Sequence, residues 1–236
     1  MPPEEVLILA MTRMLSGICT AGLTRHPDPL TGLRWVRPVR GFGTVQSGDM
    51  TDDDGRLFHC SEVIDLNLIE PRPDPPHVED WVTDFVHHRP RLVRRLEGEK
   101  RARFFSKYLD RAPEDVLAQH TRSLCLVEPE QVWARFSLDR YSGKYEARMG
   151  FVLDGEANHP RAVSARGVPV TDLKWLGLGR SWLEPDRSYL ALTQETLFER
   201  LDAEAIYLVV GLSRNWQGEC WPLVVGVHVV PDYAVS

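Results

Sequence analysis

Three short runs decide the fold of this chain: GICTAG at residues 17–22, GLRWVRPV at 32–39 and EVIDL at 62–66. The runs have β character, and clusters of Gly, Pro and Asp separate them, which is the pattern of strands joined by turns. They predict the opening strands of a small β-barrel. Residues 23–39 are expected to form a hairpin with a long tip, because prolines at 27 and 29 favour extended backbone before them.

The rest of the chain divides around a segment with a different pattern. Four prolines within residues 71–76 close the first unit. Residues 87–110 carry leucines and a phenylalanine at helical spacings and predict a helix, with a second one beginning at Pro113. Strands dominate again from residue 124, and Thr193 is typical of the N-cap of a late helix. Residues 168–175 are expected to be a strand, and residues 177–182 a bent loop.

Two parts of the sequence resemble a known family. The order Cys-x-Ala-Gly, Gly-x-x-Trp-Val-Arg-Pro-Val, an acidic loop and Val-Ile-Asp-Leu, with a second similarity at residues 207–214 and 221–227, resembles the dual OB-containing domain of prokaryotic proteins. The resemblance implies two OB-type barrels and a nucleic-acid or nucleotide ligand, and it implies no catalytic residues. The predicted fold is therefore mainly β (α+β), with an N-terminal OB-like barrel at 1–86, a basic helical connector at 87–121 and a C-terminal OB-like barrel at 122–236.

Composition narrows the class of protein. The chain has 43% hydrophobic and 26% charged residues and a formal net charge of −6, values typical of a globular protein. Glu4 and Glu5 stand where a signal peptide would be basic, and no stretch approaches the roughly 20 apolar residues of a membrane span. A cytoplasmic protein without membrane contact is expected. The four cysteines form no Cys-x-x-Cys pair and are expected to be reduced, with the role of Cys19 open.

Basic residues concentrate in residues 89–107, which carry a charge of +6 in a chain of net charge −6. Phosphate binding depends on the local field, so an acidic protein can still bind a polyanion through such a segment. The alternative is a solvated face that pairs with acidic groups of the same protein. The residues predicted to contact nucleic acid here are Arg91, Arg94, Arg95, Lys100, Arg101 and Arg103.

Aromatic and basic residues also occur side by side elsewhere. On a strand, Trp35 and Arg37 would share one face, where a base could stack and a phosphate could be held; the alternative is that Trp35 belongs to the core. Phe104, Phe105 and Tyr108 could likewise stack bases or be buried. Three later pairs place Arg or Lys beside Trp, the third being Arg214 with Trp216. The remaining predicted contacts are Arg34, Trp35, Arg37, Arg40, Lys174, Trp175, Arg180 and Trp182.

Motifs for catalysis and metals are not visible in the sequence. The acidic loop at residues 49–55 lacks the EF-hand register, and the histidines lack zinc-site spacing. No Gly-x-Ser-x-Gly elbow, Walker loop or complete dinucleotide fingerprint occurs. We therefore predict no catalytic residue, no metal site and no cofactor.

Three functions remain open from the sequence. The first is a non-catalytic module that binds single-stranded or structured RNA or DNA through the basic segment and its Trp and Arg surfaces. The second is an interaction subunit of a larger prokaryotic complex, with a protein partner on the basic segment. The third is a metal-dependent nucleotide-processing enzyme in which Asp52 or Asp54 holds the ion. Oligomeric state and the choice between RNA and DNA leave no signature in the sequence.

Overall fold

The computed structural model describes residues 3–14, 16–153, 156–157, 167–183, 187–215 and 217–234, and it is mainly β. The first half forms a seven-stranded sheet in the order β5-β6-β3-β2-β1-β4-β7. A short 3₁₀ helix at Ser47–Met50 lies in the connection after its third strand. The strands are β1 (Glu4–Met14), β2 (Gly17–Thr24), β3 (Trp35–Val39), β4 (Glu62–Leu66), β5 (Leu68–Pro71), β6 (Asp80–Thr83) and β7 (Arg91–Arg95).

The first sheet is curled, because the nearly continuous segment β4–β5 pairs with a different strand at each of its ends. β4 and β5 are separated by Asn67 alone; β4 pairs antiparallel with β1, whereas β5 pairs antiparallel with β6. β6 also pairs in parallel with β3, and β3 connects through β2 to β1. Residues 4–83 therefore make a closed circuit of strand pairings, and β7 adds to the outer edge of β4.

The second half repeats this arrangement with different residues. Its helices are α1 (Gly98–Lys107) and α2 (Pro113–Ala118), which precede the strands, and α3 (Leu173–Ser181) and α4 (Gln194–Leu201), which lie among them. The strands are β8 (Leu124–Val127), β9 (Gln131–Leu138), β10 (Tyr145–Leu153), β11 (Glu156–Ala157), β12 (Val168–Pro169), β13 (Tyr189–Leu192), β14 (Ala205–Leu212) and β15 (Pro222–Val230).

A second circuit of pairings runs through these strands. β8 and β9 together act as its first strand, because β8 pairs with β14 and β9 with β10. β10 pairs with β12, Val170 forms a parallel bridge with Val224 of β15, and β15 pairs with β14. In the first circuit β3 is parallel to β6, and in the second circuit the segment that follows β12 is parallel to β15. The sequence shows no internal repeat, so the two halves share topology without sharing residues.

Strand β1 is buried on both faces, and it joins the two halves because each face packs against a different core. Val6 and Ile8 face a first core inside the first circuit, together with Ile64 and Trp81. Leu7 and Leu9 face a junction core, which they share with α1 and with residues of β8 and β14. A second core fills the space between the strands of the second circuit.

A β-bulge at Leu9 connects β1 to the second half. The register between β1 and β2 passes from Ile8 opposite Gly22 to Ala10 opposite Ala21, which leaves Leu9 without a partner in β2. The Leu9 carbonyl lies 2.8 Å from Nε2 of His228 on β15, and His228 is fully buried. Burial, followed by the positive charge of Arg101, lowers the pKa of His228 to about 3. The neutral imidazole therefore donates its Nε2 proton to the bulge.

Three predictions of secondary structure are wrong at least in part. The helix expected at 87–110 is α1 only from Gly98, because Arg91–Arg95 instead hydrogen-bond to the edge of β4 as β7. The strand expected at 168–175 ends at Pro169, and the loop expected at 177–182 is mostly helix. Asp172 caps that helix by accepting a 2.7 Å hydrogen bond from the Trp175 amide.

Among the described residues, no helix is long and apolar enough to cross a membrane.

We expect Gly226→Ala to destabilise the protein strongly. A Cβ at Gly226 would lie 2.2 Å from the carbonyl oxygen of Leu9, and that backbone atom cannot move without displacing the bulge. The free energy of unfolding, measured by urea denaturation, should fall by about 2–3 kcal/mol. Gly48→Ala is the matched control, because a Cβ there meets open space, and it should change the free energy by less than about 0.5 kcal/mol. An equal effect of both substitutions would contradict the role of the bulge.

We expect His228 to make the protein sensitive to acid. With a pKa of about 3 in the folded state and an ordinary value of 6.5, the unfolded chain binds more protons between these values, so stability falls as the pH drops below 6.5. His228→Gln keeps an N–H donor but does not titrate. Between pH 7 and pH 5 its free energy of unfolding should therefore fall by about 2 kcal/mol less than that of the parent protein.

The control for this experiment is His26→Gln, since His26 is exposed. Burial raises the pKa of Asp172 to about 6 from 3.8, which changes stability in the opposite direction over an overlapping range. The comparison of each variant with the parent protein at each pH cancels that contribution. A His228→Gln variant with the pH profile of the parent would show that His228 does not titrate as inferred.

Candidate functional site

A cleft lies where the first sheet meets helix α1, and we call it the aromatic cleft. Its volume is about 460 Å³. Leu7, Leu23 and Val63 form an apolar floor that continues from the junction core, while Phe104 and Tyr108 of α1 form one wall. The two rings are half-buried, and their centroids are 4.5 Å apart. An apolar floor beside two partly exposed rings can accommodate a planar group.

Positive charge surrounds this cleft. The Arg34 guanidinium lies 5.2 Å from the Tyr108 ring centroid and donates a 2.8 Å hydrogen bond to the Arg25 carbonyl. Lys107 lies over the same ring at 5.2 Å. Within the part of the chain that the structure describes, no carboxylate forms an ion pair with Arg25, Arg34 or Lys107. Glu5 is the carboxylate in the cleft lining, and Arg94 neutralises it at 2.5 Å.

The predicted basic segment is divided between a strand and a helix, and most of its charges face solvent. Arg91, Arg94 and Arg95 are exposed on β7, and Lys100 and Arg103 are exposed on α1. Arg94, Arg95 and Arg103 each form an ion pair, with Glu5, Glu62 and Glu99. The pairs of Arg94 and Arg103 lie at the surface and contribute little stability, whereas Arg95 pairs with the buried Glu62. These residues therefore form an exposed basic surface, but it is shared between a strand and a helix and does not lie on one face of a helix.

Arg101 does not belong to that surface. Its side chain is buried; Nε donates to Ser61 at 2.8 Å, Nη1 donates to the Val229 carbonyl and Nη2 forms an ion pair with Asp232 at 3.3 Å. Burial lowers its pKa. Arg101 joins α1 to both halves of the molecule, so its prediction as a nucleic-acid contact is contradicted by its position.

Three further predicted contacts are buried. Trp35 lies in the junction core and Trp175 in the second core. Arg37 forms a two-point ion pair with Asp80, with atom distances of 2.5 and 2.8 Å. Burial alone would lower the pKa of Arg37, but the bond to Asp80 raises it. These side chains hold the fold and cannot present a surface to nucleic acid as predicted.

The other predicted residues lie apart from the aromatic cleft. Arg40 forms a two-point ion pair with Asp49. Lys174 and Arg95 line a separate cleft of about 440 Å³, where Lys174 pairs with Asp232 at 2.8 Å. Arg180 lies over the ring of Tyr145, and Trp182 is half-buried between aromatic side chains of the second core. Trp216 lies outside the described residues.

Two carboxylates of the acidic loop at residues 49–55 form ion pairs with arginines. Asp49 pairs with Arg40, and Asp52 pairs with Arg56 at 3.0 Å. Across the described ranges, no group of three or more His, Cys, Asp and Glu side chains is arranged to hold a metal ion. The arginines compete with any cation for these carboxylates.

Comparison with known families matches the model described as "Dual OB-containing domain" to residues 4–168, which is more than half of the chain. The chain belongs to the dual OB-containing domain family. The match begins at β1 and ends at β12, so it covers the whole first circuit and the aromatic cleft. No curated protein and no solved structure matches the chain significantly.

This dual OB-containing domain also carries functional candidates that the sequence did not indicate. His77, Glu79 and Ser123 form a buried polar cluster with Arg37, although 46 residues separate His77 from Ser123. Phe42 is 96% exposed at the tip of a loop. The polar cluster could not be found from the sequence, because a contact between residues so far apart leaves no periodic or local pattern. Phe42 could have been found, because an aromatic residue between two glycines in GFG (41–43) predicts an exposed loop tip.

We expect Arg101 and its neighbour Lys100 to behave differently. Arg101→Met leaves two acceptors, the Ser61 hydroxyl and the Val229 carbonyl, without their buried guanidinium donor. It should lower the free energy of unfolding by about 2–3 kcal/mol. Lys100→Met, on the exposed face of the same helix, should change it by less than about 0.5 kcal/mol. Chemical denaturation of both variants tests this, and equal stabilities would show that Arg101 is not structural.

Proposed function

We propose that this dual OB-containing domain is a non-catalytic module that binds single-stranded nucleic acid at the aromatic cleft. The observation that carries the proposal is the meeting of unpaired positive charge with two partly exposed rings above an apolar floor. OB-type folds commonly bind oligonucleotides, which is a fold-level analogy that supports the same conclusion.

The phosphate contacts are assigned to the cations around the cleft. Arg25, Arg34 and Lys107 have no carboxylate partner in the described residues, so they can pair with phosphate without first breaking an ion pair. Arg91 and Lys100 extend this positive field along β7 and α1. Displacement of counterions from the strand would supply much of the affinity, which should therefore fall steeply as salt rises.

The base contacts are assigned to Phe104 and Tyr108. A nucleobase resting on these rings would cover the apolar floor, and the planar guanidinium of Arg34 would lie beside it as a second stacking surface. A base in a duplex is already stacked and paired and cannot enter the cleft. The proposal is therefore specific for single strands, loops or strand ends over duplex.

We further propose that each circuit of strands is an OB-like barrel, with the division 1–86, 87–121 and 122–236. The recurrence of the same strand order in both halves supports this assignment. Strand β7 of the connecting segment pairs with β4 of the first half, and helix α1 contacts both halves through Arg101 and Phe105. The aromatic cleft then lies between the first barrel and the connector.

A second candidate function is protein binding at β7. This strand is at the end of the sheet order, and its Leu92 and Val93 are 38% and 44% exposed. An exposed strand edge can pair with a strand of a partner, and its arginines would favour an acidic one. The nucleic-acid proposal is preferred because the cleft adds stacking groups that charge-based docking does not need.

Fluorescence anisotropy of labelled single-stranded RNA, single-stranded DNA and duplex tests the proposal at low and physiological salt. Single strands should bind more tightly than duplex at both salt concentrations. The Arg25→Glu/Lys107→Glu variant should lose at least about tenfold in affinity at low salt. Tyr108→Leu keeps an apolar side chain but removes the ring, and it should cost about tenfold.

The matched control is Arg111→Glu/Arg187→Glu, which changes the net charge equally at exposed positions outside the aromatic cleft. It should bind single strands within about twofold of the parent. Equal losses in both double variants would mean that binding is a diffuse charge effect. The absence of binding to any of the three ligands at low salt would overturn the proposal and favour a protein partner.

A further inference from the structure

A second, smaller cavity lies at the junction of the two halves, and we call it the junction cavity. Its volume is about 140 Å³. Ala10, Thr20 and Ala21 of the first sheet form one side, and Leu124 and Val225 of the second half form the other. It is distinct from the aromatic cleft, with which it shares no lining residue.

A buried hydrogen-bond network fixes the proton on one histidine in the cavity wall. Nη1 of Arg37 lies 2.9 Å from Nδ1 of His77. A guanidinium can only donate, so Nδ1 must accept and the proton of the neutral ring is on Nε2. The Ser123 hydroxyl lies 2.8 Å from the same Nδ1 and donates its one proton to Glu79.

The cavity wall also contains two polar atoms without partners. Nε2 of His77 and Oγ1 of Thr20 are buried and make no hydrogen bond to a described residue. The two residues are 2% exposed, and both line the cavity. A buried polar group without a partner is costly, and buried polar groups in folded proteins are nearly always satisfied. Because both residues line the cavity, a ring that enters it with a small shift of the wall is the partner available to this N–H donor and this hydroxyl.

A cation connects this cavity to the surface. Arg214 lines the junction cavity and also an open cleft of about 350 Å³ that contains Arg40 and Arg72. Arg40 is held by Asp49, and Arg72 donates to the carbonyls of Arg40 and Gly41. Arg214 has no ion-pair partner in the described part of the chain. Asp74 is the unpaired carboxylate of the open cleft, and Asp80 is neutralised by Arg37. An anionic group would therefore be held at Arg214.

The volume of the cavity limits what can enter. A cavity of about 150 Å³ accommodates a benzene ring, so about 140 Å³ is the size of one six-membered ring rather than two fused rings. Its walls are mostly apolar, which suits a planar heterocycle. The free donor on His77 requires an acceptor on that ring, which the carbonyl oxygens of a pyrimidine supply.

We propose that the junction cavity binds a pyrimidine nucleoside monophosphate. The ring occupies the cavity, and its C2 carbonyl oxygen accepts from Nε2 of His77. A second acceptor of the ring, the C4 carbonyl of uracil or N3 of cytosine, accepts from Oγ1 of Thr20, and the phosphate pairs with Arg214 in the open cleft. This site does not depend on the proposed single-strand site, because none of its residues lines the aromatic cleft. Its ligand is a free mononucleotide rather than a strand.

Isothermal titration calorimetry on the full chain tests the proposal, with CMP, UMP, AMP, GMP, cytidine and inorganic phosphate as the probes. CMP or UMP should bind, with AMP and GMP at least tenfold weaker because a purine exceeds the cavity. Cytidine should bind at least tenfold more weakly than CMP because it lacks the phosphate. Inorganic phosphate alone should give no measurable heat.

Two variants test the assigned contacts. Thr20→Val has nearly the same shape and removes a hydroxyl that has no partner, so it should weaken CMP binding about tenfold without lowering the melting temperature. Arg214→Ala should weaken CMP binding about tenfold and leave cytidine binding unchanged. Arg111→Ala, at an exposed arginine outside both sites, should bind CMP like the parent. The Arg25→Glu/Lys107→Glu variant should also bind CMP normally, which separates this site from the aromatic cleft.

Three outcomes would overturn the proposal. The first is no heat with CMP or UMP at millimolar concentrations. The second is purine nucleotide binding as tight as pyrimidine binding, which would contradict the size argument. The third is a Thr20→Val variant that folds and binds CMP like the parent, which would place the ligand outside the junction cavity.

Discussion

The burial of β1 on both faces is the constraint on which the rest of the structure depends. One face completes the first core, and the other, with Leu7 and Leu9, completes the junction core. The bulge at Leu9 lets the strand serve both, because it turns two successive side chains, Leu9 and Ala10, toward the second half. His228 then satisfies the carbonyl of the bulged residue. The two halves consequently share one apolar interface.

Several basic residues are used to hold the two halves together. Arg101 connects α1 to β15 through the Val229 carbonyl, and Arg37 connects β3 to a buried cluster that includes Ser123. A buried guanidinium is stable only with its partners in place, so these arginines are committed to structure. Arg25, Arg34 and Lys107 near the aromatic cleft, and Arg214, form no ion pair with a carboxylate of the described residues. Burial therefore separates the structural arginines from cations that are available to a ligand.

The two candidate sites lie at opposite ends of the β1–β2 hairpin. In the register of the hairpin, Leu7 is opposite Leu23 near the aromatic cleft, whereas Thr12 is opposite Cys19 near the junction cavity. The junction core fills the interval between them. Both sites thus occur where the contact between the two halves ends and the apolar face of β1 and β2 is no longer fully covered. One end is open and rimmed by cations, and the other is narrow and mostly apolar.

The sequence by itself determined the opening strands β2, β3 and β4, the N-cap at Thr193, the helix start at Pro113 and the family resemblance, because local turn chemistry and alternation specify these features. It also identified Arg34, Arg94 and the pair Phe104 and Tyr108 as candidates. Only the tertiary structure decided that Trp35, Arg37, Arg101 and Trp175 are buried, since the alternation of a strand gives two faces without saying which of them is covered. β7 became a strand because β4 offered it a free edge, and the junction cavity exists only where distant segments meet. Such contacts are set by packing across the whole chain, and local sequence cannot specify them.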